Sequence, residues 1–186
     1  MPLHFASKNG KPEITQVLLY HGAKANAEND LGETPLHLVQ RSKYGSQDGV
    51  RVAQLLLGGG VDVNSRDKCD RTPLHAASHH GRLEIVQVLL DHGATAKAED
   101  DQGKTPLHQV SLGNFESQED GVRIAQLLLD HGVNVNAQDR NCATPLDFAS
   151  QCRRLEIARV LLGHATVKNV RSRTPSHLGL EGAYFT

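Results

Sequence analysis

A four-residue motif, Thr-Pro-Leu-His, recurs along this chain at near-constant spacing, and no other feature limits the fold so strongly. It stands at Thr34-Pro35-Leu36-His37, Thr72-Pro73-Leu74-His75 and Thr105-Pro106-Leu107-His108. Variants are Met1-Pro2-Leu3-His4, Thr144-Pro145-Leu146-Asp147 and Thr174-Pro175-Ser176-His177. The prolines fall at 2, 35, 73, 106, 145 and 175, giving intervals of 33, 38, 33, 39 and 30. A chain with such a period folds as stacked layers rather than around one centre, because one unit cannot bury its own apolar face.

A second motif follows each first one. It reads Leu18-Leu19-Tyr20-His21-Gly22, Leu56-Leu57-Gly58-Gly59-Gly60, Leu89-Leu90-Asp91-His92-Gly93 and Leu128-Leu129-Asp130-His131-Gly132, with a weakened copy at Leu161-Leu162-Gly163-His164. In the central copy, Thr72 is a helix N-cap and Pro73 suits the first helical position, where its missing N–H costs no bond. Gly81 reverses the chain, and Ile85, Val88 and Leu89 share one face of a second helix. Gly93 closes that helix, and Asp100 to Gly103 reads as a turn. Each buried Leu or Ile contributes about 1.5–3 kcal/mol, so several per layer offset the cost of ordering the chain.

On these motifs the chain resembles the ankyrin-repeat family over essentially its whole length. The resemblance implies an all-α solenoid of helix-turn-helix units joined by hairpin-like turns. The expected repeats are 1–28, 29–66, 67–99, 100–138 and 139–168, with a degenerate or partial 169–186. Met1 in place of Thr makes the first repeat look cut from a longer array, and Leu3, Phe5, Ile14 and Leu18 are expected to be exposed there. The last full repeat is expected to run out at Gly163-His164-Ala165.

The spacing also alternates. Repeats two and four carry matching extra residues, Tyr44 to Gln54 and Phe115 to Gln126, as if a two-repeat unit of about 71 residues had been duplicated. This long-and-short pattern resembles arrays of mushroom-forming fungi, where they often end larger signalling proteins. The inserts are expected to lengthen the reversal between helices. Tyr44 and Phe115 would then be exposed contact residues, or each ring would fold back onto its own helix pair.

Composition excludes several functions. Lys plus Arg is 20 against 21 Asp plus Glu, too balanced for a general nucleic-acid binder. Aromatics make up 4% with no Trp, so a base-stacking platform is not expected. The N-terminus lacks secretory features, and no apolar run approaches a membrane span. Cys69, Cys142 and Cys152 show no metal or disulfide spacing. The expectation is an intracellular protein, cytoplasmic or nuclear, that neither is secreted nor binds membrane.

Catalytic motifs are missing. Gly103-Lys104-Thr105 mimics the end of a phosphate loop, but Ala98 stands where that motif needs Gly, and Pro106 marks a repeat start. The chain has no nucleophile elbow and no His-Glu-X-X-His, so no enzyme activity and no cofactor are expected. Nine of the eleven histidines belong to the two repeat motifs, where the resemblance has imidazoles bridging neighbouring repeats. His75 and His79 stand four apart, yet no third ligand lies nearby, so no metal is expected.

What the resemblance implies instead is recognition of a protein partner through the turn tips and the open face of the first helices, which line a concave groove. Those positions are Asp30, Leu31, Glu33, Gln40 and Arg41, then Lys68, Cys69, Arg71, His79 and His80. Asp101, Gln102, Lys104 and Leu112 follow, then Arg140, Asn141, Ala143, Gln151 and Cys152. A second reading is a structural spacer or self-associating segment of a larger signalling protein, with weak end-to-end contact. A third is an accessory repeat of an enzyme whose catalytic domain lies elsewhere. Residues 96–139 hold three basic against eight acidic side chains, and 151–175 six against one, a gradient that a complementary partner or a second copy would match.

Some positions depart from the family pattern. Asp70 and Cys142 replace turn glycines, Asp147 the motif His, and Arg153 the reversal glycine, so the fifth repeat is expected to be least regular. Asn26, Asn64 and Asn136 occupy a loop position that hydroxylases modify in some ankyrin proteins, and their ordinary role is to hold loops in register.

Overall fold

The computed structural model describes residues 1–41, 46–113, 115 and 117–171. Each motif proline opens a short helix: α1 Pro2–Lys8, α3 Pro35–Leu38, α5 Pro73–His79, α7 Pro106–Leu112 and α9 Pro145–Gln151. A second helix answers each: α2 Pro12–Tyr20, α4 Ser46–Gly58, α6 Leu83–Asp91, α8 Gln118–Asp130 and α10 Leu155–Arg171. A 3-10 turn, Val39–Arg41, continues α3. No strand occurs among the described residues. The first helices stack in one row and the second helices in another. Between the rows runs one continuous core, from Leu3 through Leu36, Leu74, Leu107 and Ile124 to Ile157 and Leu161.

Two ladders hold consecutive layers in register. At the turn tips, Lys68 N–H donates to Leu31 O (3.0 Å), Asp101 N–H to Cys69 O (3.0 Å) and Arg140 N–H to Gln102 O (2.9 Å). At the opposite loops, Asn26 Oδ1 accepts from Asp62 N–H (3.2 Å), and Asn64 Oδ1 accepts from Thr95 N–H (2.8 Å). This is the loop role expected of Asn26 and Asn64. Lys97 stands at the corresponding place in the next layer.

The inserts lengthen the second helix more than they lengthen the reversal. α8 and α4 have 13 residues where α2 and α6 have 9. Most of each insert is therefore an extra helical turn, about 6 Å at 1.5 Å per residue. Tyr44 lies outside the described residues. Phe115 takes the inward alternative: its ring is half-buried against the core. A Cβ at Gly81, Gly113 or Gly121 would run into that ring, so three glycines form its seat. The Arg154 guanidinium lies 5.2 Å from the ring centroid and donates to Gly113 O. Arg82 makes the equivalent bond one double-layer earlier, to Gln40 O (3.1 Å).

Three further expectations need correcting. The second-motif histidines do not reach neighbouring repeats. His92 bonds Val88 O, His131 bonds Leu127 O and His164 bonds Val160 O, all within their own helices. In the first layer Leu3 is buried and Leu18 half-buried, because both face the next layer, whereas Phe5 and Ile14 are exposed. Finally, α10 runs straight through Gly163-His164-Ala165. Gly22, Gly60, Gly93 and Gly132 turn the chain with positive φ, and Ala165 stands in their place. An alanine resists that conformation and keeps the helix going.

The fifth layer keeps regular turns despite its substitutions: Cys142 and Arg153 adopt φ of 61° and 54°, the left-handed values of the glycines they replace, as Asp70 does in the third layer with φ 57°. Strain takes the place of irregularity.

Candidate binding site

The open face is built on a repeated Thr–His frame. Thr72 N–H donates to His75 Nδ1 (3.1 Å), and the Thr72 hydroxyl lies 2.9 Å from the same nitrogen. Since Nδ1 accepts, the proton sits on Nε2, which donates to Lys104 O in the next layer (3.0 Å). His37 does the same toward Arg71 O (3.0 Å) and His108 toward Ala143 O (3.2 Å). His4 reaches Glu33 O (3.0 Å), but Met1 offers it no hydroxyl, and its buried Nδ1 is unpartnered. Asp147 preserves the cap at Thr144 through Oδ2 (2.7 Å to the backbone N–H). Burial lowers the pKa of His75 to about 4, and it also lowers those of His37 and His108. The neutral tautomer that the frame requires is the one the interior favours. His75 therefore has both ring nitrogens engaged in bonds. No group of three or more metal-ligating side chains comes together among the described residues.

Beside this frame an acidic or amide residue shapes each turn. Asp67 Oδ1 accepts from Cys69 N–H (2.8 Å) and Arg71 N–H (2.9 Å). Asp100 Oδ1 does so from Gln102 and Lys104, and Asp139 Oδ1 from Asn141 and Ala143. Asn29 closes the second-layer turn the same way, accepting from Leu31 and Glu33. The Arg71 guanidinium covers the Asp67 carboxylate, with Nε and Nη2 at 2.9 and 2.8 Å from Oδ2. Burial pushes the Asp67 carboxyl up, but bonds from the Arg71 side chain and from the Arg71 and Cys69 N–H groups outweigh it and hold it below the ordinary range.

A cleft of about 100 Å³ opens where layers two to four meet. It joins Glu33, Gln40, Arg71, His79 and His80, five of the positions expected to bind. It also includes Asp67, Ala76 and Gln109, which sequence reasoning passed over as turn or helix residues. Glu33 and Gln40 are more buried than a groove surface implies. The Glu33 carboxylate accepts from Asn29 Nδ2 (2.9 Å) because its own turn folds back on it. Burial first, and Arg71 second, lower the pKa of His79.

The other expected positions form separate patches. Leu31, Lys68, Cys69, Gln102, Arg140 and Asn141 crown the tips and are exposed, as is Asp30. Lys104 Nζ bonds Gln102 Oε1 (2.7 Å) and rides 5.3 Å over the Phe148 ring. Leu112, half-buried, ends α7 away from the tips, and Gln151 and Cys152 are exposed at the end of α9. Arg41 ends the 3-10 turn.

Comparison with known proteins agrees with this geometry. A family model described as ankyrin repeats (3 copies) matches residues 43–119. Two described as ankyrin repeats (many copies) match 117–162 and 1–39. The chain is 37% identical over 76 residues to human Rabankyrin-5, covering 41% of this chain and 6% of that protein. It is 36% identical over 84 residues to a putative ankyrin repeat protein of Pyrobaculum aerophilum, covering 45% and 29%. It is 34% identical over 82 residues to human diacylglycerol kinase iota, covering 42% and 7%. The matched stretches span less than a third of each of these relatives. The period, the Thr–His frame, the two helical rows and the family models agree that this chain is an ankyrin-repeat protein, an all-helical solenoid of a fold used generally for protein–protein interaction.

Proposed function

We infer that this protein is a recognition module that binds a partner protein along its first-helix face and turn tips, with no cofactor and no chemistry of its own. The observation that carries this reading is the contrast between frame and surface. The residue before each motif threonine is Glu33, Arg71, Lys104 or Ala143, while the frame beneath it repeats. A rigid support with differing side chains is what selective contact needs. Ankyrin repeats are generally non-enzymatic, and although one relative is named a kinase, the match covers 7% of it. No helix among the described residues is long and apolar enough to cross a membrane. We place the protein inside the cell, as a scaffold or adaptor, in the kind of long-and-short array that the alternation resembles.

The test is crosslinking mass spectrometry and pull-down from the native cell with Arg71→Ala, His79→Ala and Lys104→Ala combined. Loss of a specific partner with intact thermal unfolding supports recognition. Unchanged capture overturns it. The second reading, end-to-end self-association, draws on Ile14: it is 53% exposed, whereas its counterparts Ile85 and Ile157 are 4% and 1% exposed beneath a preceding layer. Sedimentation of wild type against Ile14→Lys separates this reading from the first.

A further inference from the structure

We propose that the loop edge between the fourth and fifth layers receives the side-chain carboxamide of an asparagine or glutamine of a partner protein, through the Asn134 N–H, the Gly132 carbonyl and the Lys97 ammonium. The site lies at the loops opposite the turn tips and goes beyond the groove reading above.

The site is visible because the chain repeats one rung and then leaves it unmade. Asn26, Asn64 and Lys97 hold the same place in successive layers, and the matching places one layer on are Asp62, Thr95 and Asn134. Asn26 Oδ1 accepts from Asp62 N–H (3.2 Å). Asn64 fits its rung at both ends: Oδ1 accepts from Thr95 N–H (2.8 Å), and Nδ2 donates to Gly93 O (3.2 Å). The third rung presents the same two backbone groups, Asn134 N–H and Gly132 O, to a lysine, whose ammonium has no acceptor to offer. Neither backbone group has a hydrogen-bond partner among the described residues.

This rung is open to solvent. Lys97, Gly132 and Asn134 are exposed, and all three line one cavity of about 360 Å³. Val133 and Ala137 give the cavity apolar lining beside the rung, and Glu99 stands in its wall. Lys97 leans along the rung, with Nζ 3.8 Å from where a Cβ on Gly132 would stand. Asn64 shows which group fits: a planar amide whose oxygen meets one N–H while its nitrogen meets the carbonyl two residues earlier. A carboxamide arriving from solvent makes the same pair of bonds, and its oxygen keeps a second lone pair for the Lys97 ammonium. A carboxylate would set an oxygen against the Gly132 carbonyl and would meet the charge of Glu99. A cationic side chain would meet Lys97 and bring nothing for Asn134 N–H to donate to. The unmade rung therefore selects a neutral amide.

The experiment titrates the full chain with N-acetyl-Gly-Asn-Gly amide and, separately, N-acetyl-Gly-Gln-Gly amide, followed by amide NMR of residues 132–138. The same peptides with Asp or Ala at the centre are the controls. The expected result is a saturable shift centred on Asn134 with at least one amide peptide, half-complete at about 10–100 mM, as a few net hydrogen bonds give. The stronger of the two identifies the residue. The Asp and Ala peptides should be weaker by about fivefold or more. Lys97→Asn should abolish the response by closing the rung from within, as Asn64 does one layer earlier, and should slow Asn134 amide exchange by about tenfold. Thermal unfolding confirms that the variant folds. Lys97→Ala, which leaves the backbone pair open without the ammonium, should keep a weakened response. An equal response to the Ala peptide, a stronger one to the Asp peptide, no saturable shift at Asn134, or an undiminished response in folded Lys97→Asn would overturn the proposal. None of these readouts involves the turn tips, so the groove reading stands or falls separately.

Discussion

His75 Nε2 lies 3.0 Å from the carbonyl oxygen of Lys104, 29 residues away, and this bond joins one layer to the next. The imidazole that makes it also caps its own helix through Nδ1. Removing the ring strands two buried backbone groups at once. We expect His75→Ala to cost about 2–6 kcal/mol, at roughly 1–3 per unsatisfied group, measured by urea unfolding at pH 7.5. A loss below 0.5 kcal/mol would contradict the two-sided role.

The same histidines set a pH dependence. Burial lowers the folded pKa of His75 from 6.5 to about 4, and it lowers those of His37 and His108 in the same direction. Between the two limits the unfolded chain binds more protons, so stability rises with pH. It should be fully present above about pH 6.5 and decline as pH falls toward 4, by roughly 3 kcal/mol from His75 alone. Unfolding free energies measured between pH 7.5 and 4.5 check this. A flat profile across that window would remove the buried-neutral assignment.

Phe115 and Gly121 are predicted to be coupled. Phe115→Ala should destabilise by about 2 kcal/mol, less than a fully buried ring because Phe115 is half-buried. Gly121→Ala should also destabilise, since its Cβ meets the ring. In the double variant the second change should cost little, because the obstacle has gone. A double-mutant cycle with no interaction energy would place the ring elsewhere.

Strain at the left-handed residues is open to relief. Cys142→Gly and Arg153→Gly should each stabilise by about 1 kcal/mol, seen as a raised thermal midpoint. Gly103→Ala should do the opposite, because its φ is +75° and its Cβ would stand 3.2 Å from Arg140 N.

Ala165→Gly supplies the residue that other layers use to leave the second helix. Helical hydrogen-exchange protection beyond residue 165 should fall while protection in α9 persists. Unchanged protection would show that something besides the missing glycine carries α10 onward.

The layered fold was legible because period, proline placement and glycine spacing are local signals. The bonding of His37, His75 and His108 to the next layer came with the family resemblance. What escaped depended on contacts across layers. The inserts were expected to lengthen the reversal, yet most of each is helix, and their glycines are set by packing. Gly121 is there to admit the Phe115 ring, and Gly49 faces Val39 and Ile85. Leu3 was expected at the surface because Met1 begins the chain, but its side chain turns toward layer two. The cleft residues Asp67 and Gln109 were passed over because nothing in their own segments marks them. Asp67 gains its meaning from Arg71 four residues on, and Gln109 from the cleft that three layers enclose.

The carbonyls that receive the histidines belong to Glu33, Arg71, Lys104 and Ala143: an acid, two bases of different shape, and a methyl. The seam grips only the peptide group and is indifferent to the side chain that group carries. Each such position can therefore drift through the amino-acid alphabet without loosening the stack, so a lineage can rewrite what the outer face says while leaving its masonry untouched.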